Sequence, residues 1–405
     1  NVAVGKSALD ANTTASNNTA VGVDALGANT TGQNNVAVGA NTLDANTTGA
    51  FNTSLGQGSM TSNTTGSDSV AVGYFALSTA TTGGQNSALG YLALQDVTTA
   101  TGNTGIGYQA GKDITTGTNN TFIGNNSGIA QTTATDNTAV GHATLAANTS
   151  GDGLVAVGSN CLDANTTGSN NTAIGRSALG ANTTGGSNTA VGKGAGDAIT
   201  TGGNNVAIGN DALGANTTAG DNVAVGFESC LTNVTGTAIT AIGRKSLRAN
   251  TGSNNTAVGY NALIVNSSGV SNTAVGKGAL DANTTANNNT AVGDSALTSN
   301  TTGSESTAVG TNALAAATTA TDNTAVGVNA LQLSTTGDKC TAVGRSAAEA
   351  NTTGVQNTCF GHSAGKTMTT GDSNTFIGYL SGGVGTVTGD TNTALGISAG
   401  KNLTS

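Results

Sequence analysis

The feature that most constrains this chain is a 17-residue period that runs through all of it. Residues 18–22 read Asn-Thr-Ala-Val-Gly, and close variants return at residues 35–39 and 52–56. The pentad glycine advances in steps of 17 from Gly5 to Gly243; one later step is 16 residues and another is 18. A short fixed period indicates one structural unit per repeat, stacked on its neighbours. We number the repeat from Asn18 (position 1) to Asn34 (position 17).

The repeat length selects the fold class. Seventeen residues are too few for a helical hairpin repeat, which needs over about 30 residues. They suit one coil of a solenoid, stacked at the strand spacing of about 4.8 Å. Thr and Val favour strands, whereas Gly and Asn favour corners. The sequence therefore predicts an all-β fold, a β-solenoid (β-roll) of about 24 coils.

The same period predicts the domain organisation. It covers residues 1–405 without a linker, so we expect a single continuous array. The array begins at position 1 of a repeat and stops within a coil, without the polar caps that solenoids need at their ends. We therefore expect the sequence to be a fragment of a longer chain without its caps.

Composition excludes several other classes of protein. Charged residues are 8% of the chain, proline is absent and Gly has no three-residue period, which excludes ordinary enzymes, coiled coils and collagen. No apolar run approaches the roughly 18 residues of a membrane helix. The net charge of -9 would repel nucleic acid. We expect no enzyme activity, no cofactor, no nucleic-acid partner and no membrane span in this segment.

Charge outlines the cross-section of one coil. All 12 Lys and Arg, and nearly all 21 Asp and Glu, fall at positions 6, 7, 10, 11, 16 and 17. Because unpaired charges are almost never buried, these positions predict three exposed corners. The three uncharged segments between them are the Asn-Thr-Ala-Val-Gly strand, the Ala-Leu pair and the Asn-Thr-Thr segment.

The interior is predicted from substitutions that compensate one another between repeats. Position 4 is almost always Val, Ile or Leu, and position 9 is usually Leu. Where position 9 is Gly, position 12 can turn apolar, and Phe appears at position 3 or 4. A lost Leu leaves a cavity that must be refilled. We therefore expect positions 3, 4, 9 and 12 to border one interior, with the Phe residues inside it. The apolar residues at position 12 are Ile114, Ile199 and Met368, and the three Phe residues are Phe122, Phe360 and Phe376.

Repeated Asn residues at positions 1 and 12 predict side-chain ladders. At position 1 the first full coils carry Asn18, Asn35 and Asn52. Stacked amides can bond to the coils on either side, as in other in-register stacks. An alternative is that these Asn residues only tolerate turn conformations. Many position-12 Asn residues also form Asn-x-Thr triplets, the acceptor sequence for glycosylation in a secretory system.

Candidate chemistry is sparse. His142 and His362 both occupy position 6 about 13 coils apart, too far to share a site. Asp residues are scattered over corners without a calcium-binding repeat, so no metal site is predicted. The four cysteines are expected to be small buried residues without disulfides. Tyr74, Tyr91 and Tyr108 take position 6 in three consecutive coils, which predicts a surface aromatic ladder. Such a ladder could stack on a sugar, or the rings could stack only on one another.

The array resembles two groups of surface proteins. Residues 171–175 (Asn-Thr-Ala-Ile-Gly), 205–209 (Asn-Val-Ala-Ile-Gly) and 69–73 (Ser-Val-Ala-Val-Gly) resemble the head repeats of trimeric autotransporter adhesins. Residues 255–263 (Asn-Thr-Ala-Val-Gly-Tyr-Asn-Ala-Leu) are similar to arrays in tail-fibre-type proteins. The resemblance implies a β-roll, often a homotrimer, that serves as a stalk or head outside the cell. The adhesin heads have a shorter repeat, so a 17-residue coil could close its own core.

These observations lead to one functional hypothesis and an alternative. The leading hypothesis is a structural fibre or stalk, a tail-fibre or adhesin shaft that is extracellular, on a cell surface or on a virion. It would self-associate as a homotrimer or filament, with any cell-surface or glycan target bound by a tip outside this sequence. The alternative is an ice-binding or glycan-binding surface solenoid. Adjacent Thr residues at positions 13 and 14 point to opposite sides, which leaves one outward Thr row there.

Overall fold

The predicted fold class is confirmed. The computed structural model describes residues 1–382 and 385–404, which form an all-β parallel β-solenoid with about 23 turns, a spacing of about 17 residues and no helix. The chain divides into two compact units, Asn1–Asn204 and Asn205–Ser405. Each unit is built from the same coil, which contributes a single three-residue strand.

The strands of the first unit are the following: β1 Val2–Val4, β2 Thr19–Val21, β3 Val36–Val38, β4 Thr53–Leu55, β5 Val70–Val72, β6 Ser87–Leu89, β7 Thr104–Ile106, β8 Thr121–Ile123, β9 Thr138–Val140, β10 Val155–Val157, β11 Thr172–Ile174 and β12 Thr189–Val191. The strands of the second unit are the following: β13 Val206–Ile208, β14 Val223–Val225, β15 Thr240–Ile242, β16 Thr256–Val258, β17 Thr273–Val275, β18 Thr290–Val292, β19 Thr307–Val309, β20 Thr324–Val326, β21 Thr341–Val343, β22 Thr358–Phe360, β23 Thr375–Ile377 and β24 Thr393–Leu395.

Within each unit, consecutive strands pair in parallel and in register. In β2 and β3, for example, Ala20 lies opposite Ala37. The pairing continues around the coil, where the Leu26 amide donates to the Thr42 carbonyl at 3.1 Å and the Thr30 amide donates to the Thr47 carbonyl at 3.0 Å. Corners and strands alike therefore satisfy their backbone groups in the neighbouring coil, as buried peptide groups require.

The middle residue of each strand points inward and the outer two point outward. Ala20, at position 3, is fully buried, and so are Ala25, Leu26 and Asn29 at positions 8, 9 and 12. No charged side chain is buried among the described residues, as the corner positions predicted. The prediction that positions 3, 9 and 12 border the interior is confirmed. The prediction for position 4 is wrong: neighbouring strand residues face opposite sides, and position 3 already takes the inner side.

The compensation at position 9 is real, but only two of the three Phe residues take part. Phe122 and Phe376 are middle strand residues and fully buried. The ring of Phe122 fills the space that a side chain would take at Gly111 and Gly128. Phe360 ends its strand at position 4 and is 55% exposed, which corrects its predicted place in the core.

Four positions of the coil, 5, 7, 9 and 17, have positive φ angles, and two of them bear on the choice of residue. At position 5, Gly39 has φ 138°, and a Cβ there would lie 2.7 Å from the carbonyl carbon of Gly56, so only Gly fits. At position 9, Leu26 has φ 51°, which L-residues with side chains rarely adopt. Burial of its side chain in the interior offsets that strain.

Candidate functional site

The most extensive exposed feature is the outer face of the strands, which we call the sheet face. It consists of the first and third residues of every strand, at positions 2 and 4. The first residues are mostly Thr or Val, and the third are Val, Ile, Leu or Phe. Leu55 is 47% exposed and Ile174 is 40% exposed. Each unit thus carries two parallel rows of outward side chains, one of them entirely apolar.

The sheet face is most regular in the second unit. Six consecutive strands, β16 to β21, all read Thr-Ala-Val. Sequence reasoning missed this face because it placed apolar residues inside. A signal for it was present: if Phe122 at position 3 is inside, then alternation places Phe360 at position 4 outside.

The position-1 Asn residues join neighbouring coils through the backbone. The side-chain oxygen of Asn18 accepts a hydrogen bond from the Asn35 backbone amide at 2.9 Å, and Asn35 does the same for Asn52. The side-chain amide of Asn35 donates to the Gly49 carbonyl across its own coil at 2.9 Å. These buried side chains therefore both close each coil and join it to the next.

The position-12 Asn residues form a ladder of directly bonded amides. Asn46 donates to the side-chain oxygen of Asn29 at 2.8 Å, and Asn63 donates to that of Asn46 at 2.9 Å. Similar runs connect Asn148 to Asn182 and Asn250 to Asn300. Their burial removes them from the surface available to a glycan-adding enzyme.

The Thr-rich side of the coil exposes a single hydroxyl row. Thr30 at position 13 is half-buried and donates its hydroxyl to the Thr47 carbonyl at 3.0 Å. Thr31 at position 14 is exposed. In the Thr-Thr segment, therefore, only one of the two Thr side chains is fully exposed. On the sheet face, by contrast, the Thr row and the apolar row both point outward.

Tyr74, Tyr91 and Tyr108 lie in a stack on the surface of the first unit. Ring centroids are 5.5 Å apart for Tyr74 and Tyr91 and 5.2 Å apart for Tyr91 and Tyr108, with interplanar angles of 6° and 7°. Phe75 meets the ring of Tyr74 edge-on at 4.6 Å. Because the facing ring surfaces cover one another, Tyr91 has no free face on which a sugar could stack.

The four cysteines are buried free thiols, as expected. Burial raises the pKa of Cys161, Cys230 and Cys359 to about 12 and also raises the pKa of Cys340. The reactive form of cysteine is the thiolate, so these side chains are poor nucleophiles and poor metal ligands while the coil is folded.

The described part of the chain has few other side chains that could form a catalytic or metal site. His142 and His362 are both exposed at position 6, and His362 packs against the Tyr379 ring with centroids 5.5 Å apart. Within residues 1–382 and 385–404 there is no group of three or more His, Cys, Asp or Glu arranged to hold a metal, and no pocket. The same residues include no helix with the length and apolarity of a membrane span.

One corner of the second unit concentrates cations. The Arg244 guanidinium carbon lies 5.5 Å from the ring centroids of both Phe227 and Tyr260, its neighbours at position 6. Glu228 pairs with Arg248 at 2.8 Å and with Lys245 at 3.9 Å. The hydrogen bond from Arg248 and the charges of all three cations hold the pKa of the Glu228 carboxyl below its usual value.

No protein-family model matches the chain, and a search of curated proteins finds no significantly similar sequence.

Proposed function

We propose that this protein is a structural fibre or stalk whose chains associate with one another through the sheet face. The observation that carries the proposal is the position of the bulky aliphatic residues. The interior holds Ala at positions 3 and 8 and usually one Leu per coil at position 9, whereas a second bulky aliphatic residue, Val, Ile or Leu, stands outside at position 4. A monomeric soluble protein normally places its large aliphatic side chains inside. A partner that covers this row would bring them into a dry environment.

The size of the sheet face supports a second copy of this chain as that partner. Twelve strands per unit, at about 4.8 Å each and with an outward width of about 10 Å, give roughly 580 Å². That is near the upper limit for an apolar patch on a monomer. Each unit therefore offers about 70% of the roughly 800 Å² that each partner buries in a standard interface.

The resemblance to trimeric adhesin heads and tail fibres favours three copies over two. Three solenoids with their sheet faces turned to a common axis would bury every position-4 side chain, and backbone pairing between coils would give the assembly stiffness. We place such a shaft outside the cell, on a cell surface or on a virion, with target binding by a tip beyond this segment. Its role would be mechanical, without catalysis or a cofactor.

Sedimentation equilibrium tests the proposal. We expect a mass near three times the 38.6 kDa of one chain. The double variant Val292→Lys, Val309→Lys places two ammonium groups on the sheet face and should shift the mass to that of one chain, because buried unpaired charge is costly. Its matched control is Thr302→Lys, Thr319→Lys, which adds the same charges at exposed position 14 of neighbouring coils.

The outcomes separate clearly. A wild-type mass of 38.6 kDa at all concentrations would reject self-association. Equal dissociation in both double variants would show that net charge, rather than the sheet face, controls assembly. Circular dichroism of each variant should report the same strand content, since none of the four substituted side chains lies in the interior.

Ice binding is a second candidate, and one observation favours it. In β16 to β21 the outward Thr and Val rows are unbroken and evenly spaced, so they form a flat, regular surface. Longer side chains elsewhere, such as Leu55 and Phe360, interrupt that regularity. Thermal hysteresis of a monomeric chain, lost in Thr290→Lys, Thr307→Lys, would support ice binding. A trimer without hysteresis would support the shaft.

A further inference from the structure

The coil around Arg244 departs from the repeat in two ways. It is the 16-residue coil between Gly243 and Gly259. It also carries the three cations Arg244, Lys245 and Arg248 and no carboxylate, in a chain whose net charge is -9; Glu228 lies in the coil before it. Elsewhere Lys and Arg are scattered singly over corners. A shortened Asn-Thr-Thr-Gly segment, which reads Asn-Thr-Gly at residues 250–252, and a local charge reversal thus occur in the same coil of the second unit.

Arg244 is held in a fixed orientation at this corner. Its guanidinium lies between the Phe227 and Tyr260 rings, within the range of a cation–π contact on both sides, and it contacts the Tyr260 hydroxyl at 3.3 Å. The faces of the guanidinium are covered, whereas the side chain as a whole is exposed. The edge of the guanidinium, which carries the N–H donors, is therefore presented to a planar or tetrahedral oxyanion with little entropy left to lose.

Glu228 neutralises only part of the positive charge of this corner. Glu228 is shared by Arg248 at 2.8 Å and Lys245 at 3.9 Å, and it cannot balance three cations. Lys277 stands at position 6 two coils beyond Arg244, which at the strand spacing is roughly 10 Å along the corner. Lys245 and Arg248 both converge on Glu228, whereas Lys277 is followed by Asp294 at the same position of the next coil, so the excess positive charge is concentrated around Arg244.

We propose that the corner formed by Arg244, Lys245 and Arg248 binds an acidic polysaccharide through its sulfate or carboxylate groups. Three cations that share one carboxylate attract an anionic polymer, and the exposed edge of the Arg244 guanidinium fits the oxygens of a sulfate or carboxylate group. Nucleic acid fits less well, because Arg244 occupies the facing surfaces of both rings that could stack on a base. The site lies on a corner and does not depend on association through the sheet face.

The test uses the full chain and a fluorescent heparin-derived hexasaccharide, with binding followed by anisotropy at low and physiological ionic strength. The variant Arg244→Gln, Lys245→Gln leaves the Arg248–Glu228 pair intact and should weaken binding by roughly tenfold or more. The control Lys339→Gln, Arg345→Gln removes two charges elsewhere in the same unit and should bind like wild type. Binding should weaken as salt rises, and an uncharged dextran oligosaccharide should not bind.

Glu228→Gln gives the sharpest readout. Removal of the competing carboxylate should strengthen binding of the hexasaccharide severalfold, whereas a purely structural role for Glu228 predicts weaker binding or none. Three results would overturn the proposal: no binding to wild type, equal loss in the Lys339, Arg345 control, or weaker binding by Glu228→Gln. Tighter binding of single-stranded DNA at the same residues would assign the site to nucleic acid instead.

Discussion

Asn46 donates its side-chain amide to the side-chain oxygen of Asn29 in the preceding coil, at 2.8 Å, and to the Gly49 carbonyl of its own coil, at 3.0 Å. It also accepts a hydrogen bond from Asn63 at 2.9 Å. The run stops at Asn63, because Ala80 occupies position 12 of the next coil, and the Asn63 side-chain oxygen finds no hydrogen-bond partner among the described residues. Within one run, an interior Asn and a terminal Asn therefore make different numbers of bonds.

This difference predicts unequal costs for the same substitution. Asn46→Ala leaves a buried acceptor on Asn29 and a buried donor on Asn63 with fewer partners, at a cost of about 1–3 kcal/mol for each group left unsatisfied. Asn63→Ala removes the bonds that its side-chain amide donates to Asn46 and to the Gly66 carbonyl, together with an oxygen that has no partner, and it leaves no further Asn of the run without a bond. In urea unfolding we expect Asn46→Ala to be the less stable variant by about 1–2 kcal/mol. Equal free energies of unfolding for the two variants would contradict the idea that an Asn inside the run stabilises the coil more than an Asn at its end.

The period alone was enough to predict the coil, its exposed corners and most of its interior. A residue that returns every 17 positions must stack on itself, and charge can only be placed where water reaches it. Position 4 was assigned wrongly because an aliphatic residue has the same preference for a core and for an interface. A single sequence does not distinguish the two. The alternation of Phe122 inside and Phe360 outside would have resolved it.

The hydrogen-bond partners of the Asn side chains could not be predicted from the sequence either. Asn18 and Asn29 look alike in sequence, yet Asn18 bonds to backbone groups and Asn29 accepts from another side-chain amide. Which partner an amide finds depends on the distance between segments across the coil. That distance follows from the left-handed turns at residues such as Leu26, which pattern reasoning did not anticipate.

Phe122 and Gly128 should behave as an exchangeable pair. Phe122→Ala opens a cavity at a cost of about 3–5 kcal/mol. Gly128→Leu alone is also destabilising, because its Cβ would lie 2.5 Å from the Phe122 ring. The double variant recreates the common Ala and Leu pattern of coils such as the one with Ala20 and Leu26. We expect Gly128→Leu to stabilise the Phe122→Ala chain by about 1–3 kcal/mol, a coupling measurable in a double-mutant cycle.

Glycosylation should distinguish buried from exposed acceptor sequences. Asn165 and Asn170 both begin Asn-x-Thr triplets, but Asn165 is buried in the position-12 ladder, whereas Asn170 is exposed. After secretion from a glycosylating host, mass spectrometry of the folded fraction should find glycan on Asn170 and none on Asn165. Folded protein with glycan on Asn165 would be incompatible with that ladder.

Alkaline pH should destabilise the second unit through Cys230. Burial raises the pKa of this thiol to about 12, whereas the unfolded chain ionises near the ordinary value of about 8.5. The folded state keeps a proton that the unfolded state loses, so the full stability is present below about pH 8.5 and falls as pH rises toward 12. Each such thiol contributes a slope of about 1.4 kcal/mol per pH unit.

The matched variant is Cys230→Leu, which installs the residue found at the same position, position 9, in most other coils. Below about pH 8.5 the free energies of unfolding of the variant and of wild type should differ by a constant amount. Above that pH the free energy of unfolding of the variant should fall less steeply, and the two slopes should differ by about 1.4 kcal/mol per pH unit. All other ionisable groups are the same in both chains, so their effects cancel from the comparison. Urea unfolding midpoints at several pH values measure the two slopes. Parallel slopes would mean that the Cys230 thiol ionises equally easily in the folded and unfolded chains.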